Sequence, residues 1–459
     1  MTNLIVELSK YGLSILAALY TLLCFSILKK KGTVEKVQGF GLQLLILFFL
    51  HFLAYTVLYL KTENDNLLVF YVLQVALITF VQIFFQTVYP KVNRLVLNNM
   101  CFLMAVGFII LTRLSYDKAV KQFQIAAASL VLSFCVPFLI RKCKFLENIP
   151  WVYGGVGLAL LGIVAIMGSV SHGAKLALSF GSLFSIQPSE FVKLSFVFFA
   201  AARLSESTAF KDVVITSVMA GAHVLVLVAS RDLGGALIFF VAYLVVLYVA
   251  TKQPFYLLGG LGAGSAAAYV AYLLFSHVQV RVLAWSDPFS YIDKEGYQIT
   301  QSLFAIGTGS WFGMGLLQGT PNKIPFVEQD FVFSAVAEEL GGIFAICLIL
   351  ICLSCFLMFV NIAMQLKDSF YKLTALGLGT LYGFQVFLTI GGGIKFIPST
   401  GVTLPLVSYG GSSLLATILM FSIIQGMYLL RVDEGLKNEK KKQKRSPRRG
   451  KAEKTKKES

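Results

Sequence analysis

Apolar runs of about the length that crosses a bilayer follow one another along most of this chain, separated by short polar links. Thirteen are legible, near residues 5–28, 38–60, 67–88, 98–114, 122–140, 152–170, 189–205, 212–230, 233–250, 255–276, 331–360, 370–394 and 402–430. Their apolar residues are continuous rather than alternating, so each run predicts a helix and not a membrane-barrel strand. The predicted fold class is an all-α polytopic membrane protein of about thirteen transmembrane helices, because only helices or closed barrels satisfy their own backbone in lipid. One stretch breaks the rhythm. From His277 to Asp330 the chain turns polar, aromatic and glycine-rich between two apolar runs. Long loops in compact folds are usually functional or disordered, and the aromatic content here argues against disorder. This large loop is the predicted seat of chemistry.

Composition supports the membrane reading. The 459 residues are 57% hydrophobic and 14% charged, more apolar surface than a soluble domain could cover. The first run lacks a basic leader and a cleavage site, so it reads as a retained helix. Of the net charge of +16, a large share lies in the tail, where Lys437–Ser459 holds twelve Lys/Arg against three Glu. The tail, 432–459, reads as basic, disordered and cytoplasmic, lying against anionic membrane lipids; nucleic-acid binding is the weaker reading. With the C-terminus inside, alternation through thirteen spans puts the N-terminus and the 277–330 loop outside, and the inside links are on balance the more basic. Reading 213–250 as one broken span would invert everything before it. The seven cysteines sit mostly in apolar runs and read as small buried hydrophobes. The four histidines are scattered, and no metal-ligand spacing is present.

Charges at helix depth are expensive and are functional candidates by default. In QPSEFVKL, Pro188 opens a helix and Glu190 and Lys193 follow at i,i+3 spacing. They read either as an ion pair holding the helix end or as a Lys presented to an anionic headgroup and oriented by Glu190. In SRDLGG, Arg231 and Asp232 precede two glycines at a helix mouth. In AEELG, Glu338 and Glu339 lie about two turns into a span, so at least one should meet a cation or a wet cavity. In GGGIKFIPSTGVTLPLVSYGGSS, Lys395, Pro398, Pro405, Ser408 and the following glycines interrupt two apolar runs. Such broken backbone is tolerated only where protein or a water-filled cavity satisfies it. In the large loop, Asp287, Asp293 and Glu295 are candidate acids. Gln298, Gln301 and Ser302 follow at helical spacing, giving a polar face over Ile299, Leu303 and Ile306. No Ser/His/Asp set or phosphate-cradling loop is present. What remains is a carboxylate that activates a hydroxyl while cations hold phosphates.

The segments QPSEFVKL, RDLGGAL, DPFSYIDKEGYQITQSLFAIGTGSWFGMGL, DFVFSAVAEELG and IPSTGVTLPLVSYGGSS resemble, in order, the SEDS family of FtsW/RodA/SpoVE type. The resemblance covers roughly residues 98–431. It implies a ten-helix core in the bacterial plasma membrane and a peptidoglycan glycosyltransferase that polymerises lipid II at the outer face. It also implies a class B penicillin-binding protein as transpeptidase partner. The chain then divides into accessory N-terminal helices, 1–95, a ten-helix core, 96–431, and the tail.

The chain departs from the family in its three extra N-terminal helices and at one position of the loop. The resemblance places an essential Asp where this chain has Tyr291, and a phenol with a pKa near 10 is a poor carboxylate base. Asp293 is then the first candidate for the catalytic base and Asp287 the second. Lys193, Glu190, Arg231, Gln298, Gln301, Lys395 and Ser408 are the candidate substrate-binding residues. The pattern demands no cofactor; a divalent cation such as Mg2+ would serve to offset diphosphate charge. Two other readings fit the same residues. A bundle with broken helices suits a flippase for lipid-linked saccharides. Tyr291 suits a catalytically weak scaffold for a penicillin-binding protein.

Overall fold

The computed structural model describes residues 2–29, 33–171, 174–180 and 184–455. Residues 30–32 of the first basic link, His172 in the Ser171–Gln187 link and the last four residues of the tail lie outside the described residues. In chain order the helices are α1 (Thr2–Lys29), α2 (Thr33–Thr62), α3 (Asn66–Val88), α4 (Arg94–Leu114), α5 (Tyr116–Ser133), α6 (Val136–Lys142) and α7 (Pro150–Met167). Then come α8 (Pro188–Glu206), α9 (Phe210–Ala229), α10 (Leu233–Thr251), α11 (Pro254–Leu274), α12 (Ser276–Ser286) and α13 (Tyr297–Gly309). The last three are α14 (Val332–Gln365), α15 (Ser369–Gly393) and α16 (Gly411–Thr455). The chain is an all-α polytopic membrane protein with one small exception. Between α7 and α8 the strands β1 (Ser169–Ser171), β2 (Ala174–Phe180) and β3 (Phe184–Ile186) form an antiparallel meander where a plain link is expected.

Among the described residues, twelve helices are long and apolar enough to cross a membrane, with α5 and α6 counted as one span. The thirteenth expected run is α8, whose Glu190, Lys193, Arg203 and Glu206 keep it out of that set. It is nevertheless buried along most of its length, between α7, α10 and α15. Protein partners make this tolerable. Lys193 pairs with Glu190 at 2.5 Å and donates to Gln385 on α15, while Arg203 pairs with Glu206 and Asp212. A charge that meets its partners inside the bundle escapes the penalty of meeting lipid.

α4 lies at the centre of the bundle, with nearly every side chain buried. Asn93 caps it by accepting from the Val96 N–H. Gly107, midway along α4, lets the irregular 402–410 segment cross: a Cβ there would stand 2.8 Å from the Leu406 carbonyl oxygen. At the edge, α11 buries none of its residues.

The three N-terminal helices join this core through polar contacts. Tyr20 donates to Asn99 on α4 at 3.1 Å, and Asn99 donates to Ser354 on α14. Asn98 donates to Gln43, and the Tyr55 hydroxyl meets that of Thr112 at 2.8 Å. Helix association in lipid gains nothing from oil alone, so side-chain hydrogen bonds of this kind and close packing hold such helices together.

Two further expectations change. The last apolar run enters its helix at Gly411, not 402, because Pro405 and the positive φ of Leu406 (67°) exclude helix before it. The last helix then carries on to Thr455, into the basic segment for which disorder is expected. Lys, Glu, Gln and Arg are good helix formers, and the preceding span supplies the nucleus.

Candidate functional site

At the end of the bundle that carries the 277–330 loop, a cavity of about 700 Å3 opens between α8, α10, α12, α13 and the 399–413 segment. Its apolar wall includes Ile238, Phe239 and Ile299. Its charged wall has three cations, Lys193, Arg231 and Arg281, and four carboxylates, Glu190, Asp232, Glu295 and Asp330.

Local sequence explains how each group arrives there. Pro188 opens α8, so Glu190 and Lys193 stand in its first turns, on one face. Asp232 caps α10 by accepting from the Gly235 N–H at 2.8 Å and receives the Ser189 hydroxyl at 3.5 Å. Desolvation raises the Asp232 carboxyl above its ordinary value, and the Gly235 N–H opposes that shift. α12 presents His277 and Arg281, four residues apart, to the cavity. Arg281 donates to the Ser399 carbonyl at 3.1 Å and faces Asp330 electrostatically. His277 has its proton affinity lowered by desolvation and then by Arg281 and Arg231, and its Nε2 is buried without a partner.

The broken segment between α15 and α16 is satisfied by protein, as its irregular backbone requires. Gln385 donates to the Thr403 carbonyl at 3.0 Å and Thr389 to that of Val402 at 2.9 Å. Gln122 donates to the Ser408 carbonyl, and the Tyr409 N–H donates to the Glu328 carbonyl. Gln385 thus links Lys193 on α8 to the cavity rim.

The AEELG carboxylates are not in the cavity wall. α14 breaks at Gly341, where φ is 90°, a conformation that only glycine adopts without strain. The freed carbonyls of Glu338 and Glu339 accept from the Met314 and Gly315 N–H groups of the large loop. Glu339 is fully buried and meets Arg113 of α4 at 2.5 Å; its other oxygen accepts from the Leu317 N–H. The expectation that one of this pair meets a cation holds for Glu339. Its role is to pin the large loop to α4 and α14.

Of the residues selected from sequence, Glu190, Lys193, Arg231 and Gln298 line the cavity. The other five do not. Ser408 is buried and structural: its hydroxyl donates to the Gln329 carbonyl and accepts from the Leu404 N–H. Lys395 gives its backbone carbonyl to the Trp285 indole. Gln301 is half-buried on α13 outside the cavity wall. The polar face expected on this helix is not a solvent face, since Ser302 turns inward and donates to the Gly393 carbonyl at 2.7 Å. Asp287 is exposed and accepts from the Ser290 N–H at 3.3 Å. Hydrogen bonds from Ser290, and then the Lys395 charge, hold its carboxyl below the usual range, which weakens it as a base. Asp293 is exposed and also outside the wall. Gly296 is buried against the Pro288 carbonyl, and the Thr300 hydroxyl donates to that same carbonyl.

Sequence reasoning passed over Arg281, His277 and Asp330. The i,i+4 spacing of His277 and Arg281 was a readable signal of one shared face. Asp330 stands 49 residues after Arg281, and nothing in the sequence pairs them.

A model of the FtsW/RodA/SpoVE family, described as "Cell cycle protein", matches residues 93–430. The peptidoglycan glycosyltransferase RodA of Mycobacterium bovis is 32% identical over 376 residues, spanning 73% of this chain and 77% of that protein. The probable peptidoglycan glycosyltransferase FtsW of Aliivibrio salmonicida is 32% identical over 290 residues, 61% of this chain and 70% of that one. Among solved structures, a chain from a peptidoglycan synthase complex that coordinates polymerization and crosslinking superposes with a TM-score of 0.64 at 26% identity. It covers 74% of this chain and 98% of its own length. The rod shape determining protein RodA of Thermus thermophilus gives a TM-score of 0.57 at 24% identity, covering 74% and 97%, a likeness of fold.

Proposed function

The chain belongs to the FtsW/RodA/SpoVE family, and from that premise we propose that it is a peptidoglycan glycosyltransferase that lengthens glycan strands from lipid II at the outer face of the bacterial plasma membrane. The observation that carries this reading is the charged cavity itself. Three cations share the cavity wall with the apolar Ile238 and Phe239, inside a membrane protein. That arrangement suits a diphosphate headgroup whose lipid tail stays among the helices. Holding the tail in the bundle makes the reaction effectively intramolecular.

The 4-hydroxyl oxygen of one saccharide attacks the anomeric carbon of the other. A new C–O bond forms there while the bond to the diphosphate breaks. The undecaprenyl diphosphate leaves with the electron pair, and the hydroxyl proton passes to a carboxylate. Lys193, Arg231 and Arg281 offset the charge that develops on the leaving group. Among the described residues no three His, Cys, Asp or Glu side chains come together to hold a metal ion. The partner is a class B penicillin-binding protein that cross-links the product, a pairing supported by the likeness to the synthase complex.

Purified full-length chain with such a partner, given labelled lipid II in detergent, is expected to yield glycan polymer. Movement of the labelled lipid across liposomes without polymer would select a flippase. Partner binding with neither activity would select a scaffold, the reading that Tyr291 favours.

Orientation has its own test. With the C-terminus inside and the loop outside, Ser310→Cys in a background without the native cysteines is expected to react with a membrane-impermeant reagent in intact protoplasts. Ser310 is exposed on the loop. Labelling that requires lysis places the loop inside.

A further inference from the structure

We propose that Glu295, and neither Asp293 nor Asp287, is the catalytic base of this chain. The inference rests on the glycosyltransferase reading of the cavity and deepens it.

A base has to face the substrate and has to have an oxygen free to take the proton. Three of the four cavity carboxylates are committed elsewhere. Glu190 is held by Lys193 at 2.5 Å. Asp232 accepts from the Gly235 N–H and from Ser189. Asp330 lies in the field of Arg281. Glu295 lines the same cavity, is exposed, and has no hydrogen bond or ion pair. Of the large loop's early acids, Asp287 and Asp293 are not among the residues that line the cavity, which leaves Glu295 as the one of the three in its wall.

The backbone explains why this position reaches the cavity when its neighbours do not. Residues 291–296 form a tight turn in which the Tyr291 carbonyl accepts from both the Lys294 and Gly296 N–H groups at 3.0 Å. The turn delivers Glu295 just before α13, whose Gln298 and Ile299 continue the cavity wall. Tyr291 stays exposed at the start of the turn. The loop therefore presents a carboxylate four residues beyond the tyrosine. The other ionisable group free to accept is His277. Desolvation, and then the charges of Arg281 and Arg231, oppose its taking a proton.

In the transfer step, the Glu295 carboxylate takes the proton of the attacking hydroxyl as the new C–O bond forms, and it releases that proton to water once the diphosphate has left. Nothing is oxidised or reduced.

The test uses the full chain with its penicillin-binding partner and purified lipid II, with initial rates measured over a range of lipid II concentrations. Glu295→Gln keeps the shape of the side chain and removes the base. It is expected to lower kcat by about 10²–10⁴-fold with KM changed less than threefold. Glu295→Asp, a shorter base on the same turn, is expected to recover at least tenfold of that loss. The loss in Glu295→Gln is expected to exceed that in Asp293→Asn by at least tenfold. Glu295→Gln at half or more of the unmodified rate overturns the inference and leaves the glycosyltransferase reading standing. A greater loss in Asp293→Asn overturns it in the same way and moves the base to Asp293. An unmodified chain that makes no polymer in this assay overturns both, since no proton is then transferred.

Discussion

Arg113→Met is expected to destabilise the protein by about 3–5 kcal/mol, the range for removing one partner of a buried ion pair. Glu339 is fully buried, and Arg113 is nearly so. Removing the guanidinium leaves a carboxylate without a counter-charge next to the break in α14. It also removes the donor to the Gly319 carbonyl, so the large loop loses its tie to α4. Arg113→Met combined with Glu339→Gln removes both charges and keeps an acceptor for the Leu317 N–H. The double variant is expected to recover at least half of the loss. Thermal unfolding in detergent, followed by tryptophan fluorescence or by loss of the monodisperse peak, measures both. A double variant as unstable as Arg113→Met would show that the two residues act separately.

Lys193→Met is expected to lower the rate of lipid II polymerisation by about 10²–10³-fold, the range for removing one preorganised donor to developing negative charge. Lys193 is held in the cavity wall by two side-chain partners. It is buried, paired with Glu190 and hydrogen-bonded to Gln385 at 2.9 Å. A fixed ammonium needs no reorganisation when the diphosphate departs. Methionine fills a similar volume without the charge. Lys193→Arg keeps the charge but changes its shape and donor geometry, so an intermediate rate is expected. Rates are measured with the penicillin-binding partner present, and the amount of folded protein is normalised by size exclusion. A Lys193→Met chain within threefold of the unmodified rate would reduce Lys193 to a structural partner of Glu190.

The legibility of this protein follows the range of the forces involved. A run of about twenty apolar residues must be helical wherever it sits, because its backbone has no other partner in lipid. The apolar runs and the break in their rhythm at 277–330 were therefore readable from local pattern. So was the i,i+3 pairing of Glu190 and Lys193, which one helical turn enforces. The five ordered motifs carried the family. The broken segment 395–410 was readable as broken, since Pro398 and Pro405 act on their immediate neighbours. What satisfied its backbone was not readable, because no local spacing aims Gln385 and Thr389 back at it from the preceding α15, and Gln122 comes from α5, 286 residues from Ser408.

Tertiary structure decided the rest. α8 was legible as an apolar run, but the partners that bury its charges were not: Gln385 and Asp212 meet them from other helices. The pairing of Arg113 with Glu339 joins residues 226 apart, and no local spacing encodes it. Of the loop acids Asp287, Asp293 and Glu295, Glu295 lines the cavity, and no local spacing in the sequence singles it out. Sequence by itself determined the kind of molecule and the kinds of groups that could do its chemistry, because hydrophobic length and residue type act locally. Which carboxylates are held by cations, and which one stands free in the cavity, depended on contacts between distant segments that exist only once the helices have packed.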